Sequence, residues 1–388
     1  MKVYLDNAAS TKMDKRVVDA MIPFFLEKYA VPSSQFAHTY GLAVKDAVDG
    51  ARTSFADRVG GKYPEEIIFT SGGTEANNLA IKGVAHANTS KGKHLITTEV
   101  EHNSVLNSFR RLEEEGFEVS YLPVNKDGII DMDVLKRCIK KETALISVQY
   151  GNHETGTVQD IREIAKLSKE KGILFHTDAA IAWPYLPIDA YNWGIDLITL
   201  SPHKFYGPKG VGILFVRKGT KIKKVLDGGF NEFNLRPGTE NTPAIIGAQK
   251  AAEIFHRKDV DRVLLLKKRL IAGIKTTIKH VEYNGSKENS LPHIANITFK
   301  YIEGEAVSLR LDFEGIAVIT GSACYSRNLQ ASYILLAMGK NHEQAHGSIR
   351  FSLSKYNTEE EIDYTIQKAG EVVSDLRELS PLGKEDGE

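Results

Sequence analysis

Short β-rich runs alternate with longer segments of helical period along most of this chain: EEIIFT, then SGGTEANNLAIKGVAHAN, KHLITTE, SVLNSFRRLEEEG and EVSYLPV. A strand followed by a helix before the next strand is the pattern of crossover connections and parallel pairing. The alternation continues through TALISVQY, REIAKLSKEKG, ILFHTD and IDLITL. It breaks at VGILFVR, where the preceding Gly-rich turn is too short for a helical crossover, so this strand is expected to add antiparallel. After about residue 255 a Lys-rich helix, VLLLKKRLIAGIKTTIKH, leads into a more open α+β stretch with strands near HIANITFKY and SIRFSLS. The expected class is α/β: a large domain with a mixed, mostly parallel sheet and a smaller α+β domain. Their boundary near HRKDVD carries no Pro/Gly/Ser linker.

Composition narrows what such a fold can bind. Fifty Lys+Arg against 50 Asp+Glu leave a formal net charge of zero, so no global basic field holds a polyanion and no nucleic-acid partner is expected. Only two cysteines, Cys138 and Cys324, occur in 388 residues. That scarcity argues against a disulfide framework and for a reducing compartment, where a lone thiol can be chemical. No apolar run approaches the roughly 20 residues of a spanning helix. The expectation is a cytoplasmic protein without a membrane partner.

In open α/β sheets, ligands gather beyond the carboxyl ends of the strands. EEIIFT ends in Ser71-Gly72-Gly73-Thr74 and enters a helix, presenting bare N–H groups and a hydroxyl at a positive helix end. That suits a phosphate, although the motif alone favours an ordinary N-cap with Glu75 in the first turn. ILFHTD ends in Asp178, a carboxylate that needs a cation or strong hydrogen bonds if buried, and a protonated ring nitrogen would supply the cation. IDLITL runs into Ser201-Pro202-His203-Lys204. A partly desolvated lysine at a strand end can form an imine with an aldehyde. Asp178 and Lys204 on successive strands therefore suggest a pyridoxal phosphate site, against a structural ion pair with Lys209 as the competing lysine.

Three more positions follow. His102, after KHLITTEVE, could stack on a flat cofactor ring and pass protons near neutral pH, or simply cap a helix. Cys324, in TGSACYS, lies in a small, polar stretch expected to be an exposed loop, which makes it a candidate nucleophile, whereas Cys138 fits a half-buried helical position. Arg350, in SIRFSLS, could hold a substrate carboxylate through two parallel hydrogen bonds or form a surface ion pair. No HExxH, CxxC or carboxylate cluster has metal-ligand spacing, so no metal centre is expected.

From YLDNAAST through SGGTEANNLAIKG, VEHNSV, HTDA, SPHKFYGPKGVG, LRPGTEN and GSACYS to SIRFSLSKYNTEEEID, the motifs and their order resemble the class V aminotransferase family of fold-type I pyridoxal phosphate enzymes, and within it the NifS-like cysteine desulfurases. The resemblance implies a cofactor-binding domain over residues 15–255 and a small domain from 1–14 and 256–388 carrying the catalytic cysteine loop. It makes Lys204 the Schiff-base lysine, Asp178 the partner of the pyridine nitrogen and His102 the ring-stacking acid–base residue. Gly73, Thr74, Ser201 and His203 would hold the phosphate, joined by Thr239 from the other subunit of a homodimer. Arg350 would bind the carboxylate of L-cysteine, and Cys324 would take its sulfur as a persulfide, leaving alanine. That persulfide would supply an iron–sulfur scaffold or other acceptor protein, or tRNA thiolation, and Cys324 would be a transient iron–sulfur ligand.

The chain departs from that pattern in places. His153 of Asn152-His153-Glu154-Thr155-Gly156 replaces the usual second Asn and is expected near the cofactor's phenolic oxygen. Ile181 replaces the Gln usual three residues after the aspartate, which removes an amide donor that His153 can replace. Val31 precedes Pro-Ser-Ser where Asn is common, and Tyr325 follows the candidate nucleophile where Ser is usual. Two alternatives stay open: a selenocysteine lyase or other β-elimination enzyme with the same cofactor, and a degenerate scaffold homologue. Retention of Lys204, Asp178, His102, Cys324 and Arg350 together argues against the last.

Overall fold

The structure, a computed structural model, describes residues 1–321 and 331–380. Its strands are β1 (Val3–Tyr4), β2 (Ile67–Thr70), β3 (His94–Thr98), β4 (Glu118–Leu122), β5 (Thr143–Ser147), β6 (Leu174–Asp178) and β7 (Leu197–Leu200). They continue with β8 (Gly212–Val216), β9 (Val281–Asn284), β10 (Ile294–Phe299), β11 (Ile316–Ala317), β12 (Ile319–Thr320) and β13 (Ser348–Ser352).

Seven strands form the large sheet in the order β2-β8-β7-β6-β5-β3-β4. Neighbours from β4 to β7 pair in parallel. β8 lies antiparallel to both β7 and β2, as its short Gly-rich approach requires. Strands such as Ile67-Ile68-Phe69-Thr70 and Gly212-Ile213-Leu214-Phe215-Val216 are buried on both faces. Alternate side chains enter different cores. Ile67, Phe69, Ile213 and Phe215 join Phe55 and Phe175, while Ile68 and Leu214 join Leu79, Val105 and Phe109 beneath the helices Gly73–Ala87 and Asn103–Glu114. Helices on both faces explain why these strands read as apolar runs and not as an alternating pattern.

Four antiparallel strands in the order β12-β13-β10-β9 form a second sheet. Its own core joins Ile297, Phe299 and Phe351 to Val263 and Leu270 of the helix Arg257–Thr277 and Val372 of the helix Glu359–Leu379. The N-terminus belongs to this layer at first: β1 pairs in parallel with β11, and Ser352 N donates to Leu5 O at 2.6 Å. A few residues later the chain crosses to the large sheet, where Thr11 donates to His203 O through both its backbone N and its hydroxyl, each at 2.9 Å. Residues 8–10 thus pass directly between the two sheets. No helix among the described residues is long and apolar enough to cross a membrane.

Candidate active site

The carboxyl ends of β2, β3, β5, β6 and β7 open onto a cavity of about 320 Å³, which Ala8, Ala9, Ile319 and Arg350 close from the other side. Gly73, Thr74, His102, His153, Asp178, Ser201, His203, Lys204 and Arg350 all line it. Sequence positions as far apart as 73 and 350 therefore meet in one place. Lys209, the competing lysine, is exposed and lies outside this lining, and so does Thr239, which is exposed on its own chain. Cys324 and Tyr325 lie outside the described residues, while Cys138 is half-buried at the end of the helix Met132–Cys138.

Lys204 ends the single 3₁₀ turn Pro202–Lys204 that follows β7. Its Nζ donates to the carbonyls of Ala8 at 2.6 Å and Ala9 at 2.9 Å, so the N-terminal crossing segment aims the ammonium into the cavity. His203 faces Ser10 Oγ through Nδ1 at 3.3 Å. Burial, then the positive charges of Lys204 and Lys209, push its pKa down to about 4, so the ring is a neutral hydrogen-bonding group near neutral pH.

Asp178 accepts from Ala180 N at 2.9 Å and from Asn77 Nδ2 at 2.6 Å. The same Asn77 amide donates to Ser104 Oγ at 2.8 Å, and Ser104 Oγ lies 2.8 Å from His102 Nδ1. His102 caps the helix Asn103–Glu114 by accepting Ser104 N at 3.1 Å on Nδ1. The proton of the neutral ring therefore resides on Nε2, an inference from the hydrogen-bond pattern. Burial lowers the pKa of His102, Lys204 lowers it further, and Asp178 opposes both. The capping reading holds, and the same imidazole lines the cavity.

His153 is half-buried in the cavity wall, its ring meeting that of His102 edge-to-face at 5.1 Å between centroids, and its Nδ1 is buried without a partner. Burial first, then the neighbouring His102, Arg350 and Lys204, hold its pKa well below the ordinary value. Arg350 reaches across from β13, donating through Nη1 to His153 O at 3.0 Å and through Nη2 to Asp6 Oδ1 at 2.7 Å. The guanidinium is paired, but in a buried ion pair and not a surface one, and it lines the cavity. Ile181 presents an apolar wall where an amide was expected from the family pattern.

Beneath His102 lies a second ionisable group that sequence reasoning did not single out. Glu101 Oε1 accepts from Thr98 Oγ1 and from Gln149 N, both at 2.9 Å, while Oε2 is buried without a partner. Burial pushes its pKa up to about 8, with Asp178 adding to the rise and the two hydrogen bonds opposing it. The folded-state pKa is raised, so the stability that this proton confers is complete below the unfolded value of 4.5 and is lost as pH rises through about 8. Glu101→Gln keeps an acceptor for both donors and cannot ionise. Denaturant titrations should find variant and parent equally stable near pH 4, with the variant ahead by roughly 4 kcal/mol at pH 8. A constant difference across that range would mean that Glu101 is ionised throughout.

These residues fit pyridoxal phosphate. Asp178 faces the cavity with two N–H donors and no ion pair among the described residues, an arrangement that a protonated pyridine nitrogen completes. Gly73 opens the helix Gly73–Ala87, and a Cβ there would fill the space beside Ser201, 3.5 Å from its Cβ. That gap, rimmed by backbone N–H groups, Thr74, Ser201 and neutral His203, is an anion cradle. Gly212 of β8 makes it possible: a Cβ at this position would lie 2.3 Å from Gly72 C, so only glycine lets the Ser71–Gly73 turn rest on the strand. Asn77, whose Oδ1 is buried and unpartnered, was missed in the sequence, although it stands one helical turn after Gly73 and so shares its face. Asp6 and the Ala8 and Ala9 carbonyls were missed because only the tertiary fold brings them to Arg350 and Lys204.

Comparison with known proteins adds independent findings. The class-V aminotransferase family profile matches residues 3–365. The chain is 46% identical over 387 residues to the cysteine desulfurase IscS of Dictyoglomus turgidum, covering 99% of this chain and 98% of that one. It is also 46% identical over 383 residues to the cysteine desulfurase IscS of Methanosarcina thermophila, covering 98% and 94%. Among solved structures it is similar to a NifS-like protein, with a TM-score of 0.90 and 36% identity over 97% of this chain and 100% of that one. It is likewise similar to SspA in complex with cysteine, with a TM-score of 0.82 and 35% identity over 92% and 100%.

Proposed function

Because the chain belongs to the class-V aminotransferase family, we propose that it is a pyridoxal-phosphate-dependent cysteine desulfurase that converts L-cysteine to L-alanine and leaves the sulfur as a persulfide on Cys324. One observation carries the reading: Lys204, Asp178, His102 and Arg350 line a single cavity at the carboxyl end of the large sheet. When bound there, pyridoxal phosphate acts as an electron sink that loosens bonds around Cα and Cβ of an amino acid.

The protein's own groups divide the remaining work. Gly73, Thr74, Ser201 and His203 hold the phosphate, Asp178 holds the ring nitrogen, and His153 supplies the polar contact on the side where Ile181 cannot. Arg350 binds the substrate carboxylate; Asp6 and the His153 carbonyl fix its guanidinium plane beforehand. Lys204 and His102 Nε2 exchange protons with the substrate. The Cys324 thiolate attacks the substrate sulfur, so an S–S bond forms as the Cβ–S bond breaks. The electron pair of the broken bond stays with carbon and, with a proton, completes the methyl group of alanine. Carbon is thereby reduced by two electrons and the sulfur pair oxidised by two, with no outside oxidant.

The cysteine-bound neighbour supports the substrate. The separate hydrophobic cores support a division into a cofactor domain, residues 15–255, and a small domain, 1–14 with 256–388. A homodimer in which Thr239 reaches the partner's phosphate is supported by the exposure of Phe25, Leu26, Tyr29, Phe36, Phe230 and Phe233, an apolar load a lone chain would not leave in water. The persulfide passes to an acceptor protein for iron–sulfur assembly or to tRNA thiolation, in the reducing cytoplasm that keeps Cys324 a thiol. Purified protein given L-cysteine and the cofactor should release alanine while sulfur stays on the polypeptide; pyruvate and ammonia instead would overturn the assignment.

A further inference from the structure

Glu232, Phe233 and Asn234 adopt φ of 47°, 56° and 64°, three successive left-handed residues with no glycine among them. Such a run persists only where its surroundings over-determine it. Here Arg52 does so. Its Nη1 and Nη2 grip the Glu232 carboxylate in parallel at 2.7 and 2.8 Å, and Nη1 also donates to Ile67 O. Glu232 Oε2 accepts Phe69 N at 2.8 Å as well. The guanidinium is sandwiched between Phe69 and Phe233, 4.8 and 5.0 Å from the ring centroids. Arg52 belongs to the long helix Thr39–Arg58 and Phe69 to β2, so the clamp stands on rigid elements.

The clamp sits at the root of an excursion whose other ties are equally specific. Asn231 Nδ2 donates to Glu240 Oε1 at 3.0 Å across its neck. Arg236 Nε donates to Glu75 Oε1 at 3.0 Å, in the first turn of the helix that begins the phosphate cradle. Thr239 lies between these ties, exposed and outside the lining of its own chain's cavity.

We propose that Arg52 and Glu232 are positioning residues: their buried ion pair locks the left-handed turn so that Thr239 is presented, pre-formed, to the cofactor phosphate of a second copy of the chain. This rests on the homodimer proposed above. Arg52→Met should leave the dimer intact and weaken retention of pyridoxal phosphate by about tenfold, the scale of one lost hydrogen bond to a charged group. The deciding experiment co-expresses Arg52→Met copies with Lys204→Ala copies and measures cofactor retained after gel filtration by its visible absorbance. In a mixed dimer the intact Lys204 belongs to the Arg52→Met copy and receives its strap from the Lys204→Ala copy. Retention above the mean of the two parent homodimers is expected. Retention equal to that mean, or an Arg52→Met homodimer that retains cofactor like the parent, overturns the proposal. A parent protein sedimenting as a monomer overturns the homodimer itself, a separate result. If Arg52→Met aggregates, Glu232→Gln, which keeps one acceptor oxygen, puts an amide donor in place of the other and loses the charge, carries the same mixing test with a deficit in the same direction.

Discussion

Lys204→Ala is expected to purify without the visible absorption of lysine-anchored cofactor and to lose at least about 10³-fold in alanine formation, since it removes both the anchor and a proton-transfer group. The loss should leave the fold in place. Ala8 and Ala9 would lose a shared donor next to the cavity, where water can replace it, so denaturant stability should fall by no more than about 1–2 kcal/mol. Lys209→Ala, at the exposed competing lysine, should match the parent in both measurements. Loss of absorbance in Lys209→Ala with retention in Lys204→Ala would reverse the assignment.

Asp178→Asn separates catalysis from stability in a different way. The amide preserves size and at least one of the two hydrogen bonds from Ala180 N and Asn77, so the cofactor-free protein should change by less than about 1 kcal/mol. What it removes is the negative charge opposite the ring nitrogen. Turnover should drop by about 10²–10³, the usual scale for deleting one pre-organised electrostatic partner, with weaker cofactor binding alongside. Steady-state rates and cofactor titration by absorbance measure the two effects on the same sample. Unchanged turnover would show that the carboxylate merely holds Asn77 and the end of β6.

Much of this was legible in the sequence because the relevant signals are local. Alternation of strand and helix runs specifies a parallel sheet, and the short Gly-rich link before VGILFVR specifies the one reversed strand. Residues at strand ends are legible for the same reason: Gly73, His102, Asp178, Ser201 and Lys204 each directly follow or end a run whose direction is known. Less could be read where distant chain segments meet. The two-residue strands β1 and β11 are too short to show any period, yet their pairing carries Asp6, Ala8 and Ala9 to Arg350 and Lys204. Glu101 was overlooked because nothing in TTEVEHNSV tells a buried neutral carboxyl from a surface one. The turn at Glu232-Phe233-Asn234 contains no glycine, so its left-handed backbone has no signature; it follows from Arg52, 180 residues earlier.

The most direct test of the account concerns Cys324. Cofactor-loaded protein is incubated with L-cysteine without reductant, quenched with an alkylating agent, digested and analysed by peptide mass spectrometry alongside an alanine assay. The expected result is one additional sulfur on the peptide containing Cys324, one alanine per sulfur, and neither product in Cys324→Ala. Alanine formed at the parent rate by Cys324→Ala, or sulfur that never resides on Cys324 during turnover, would contradict it.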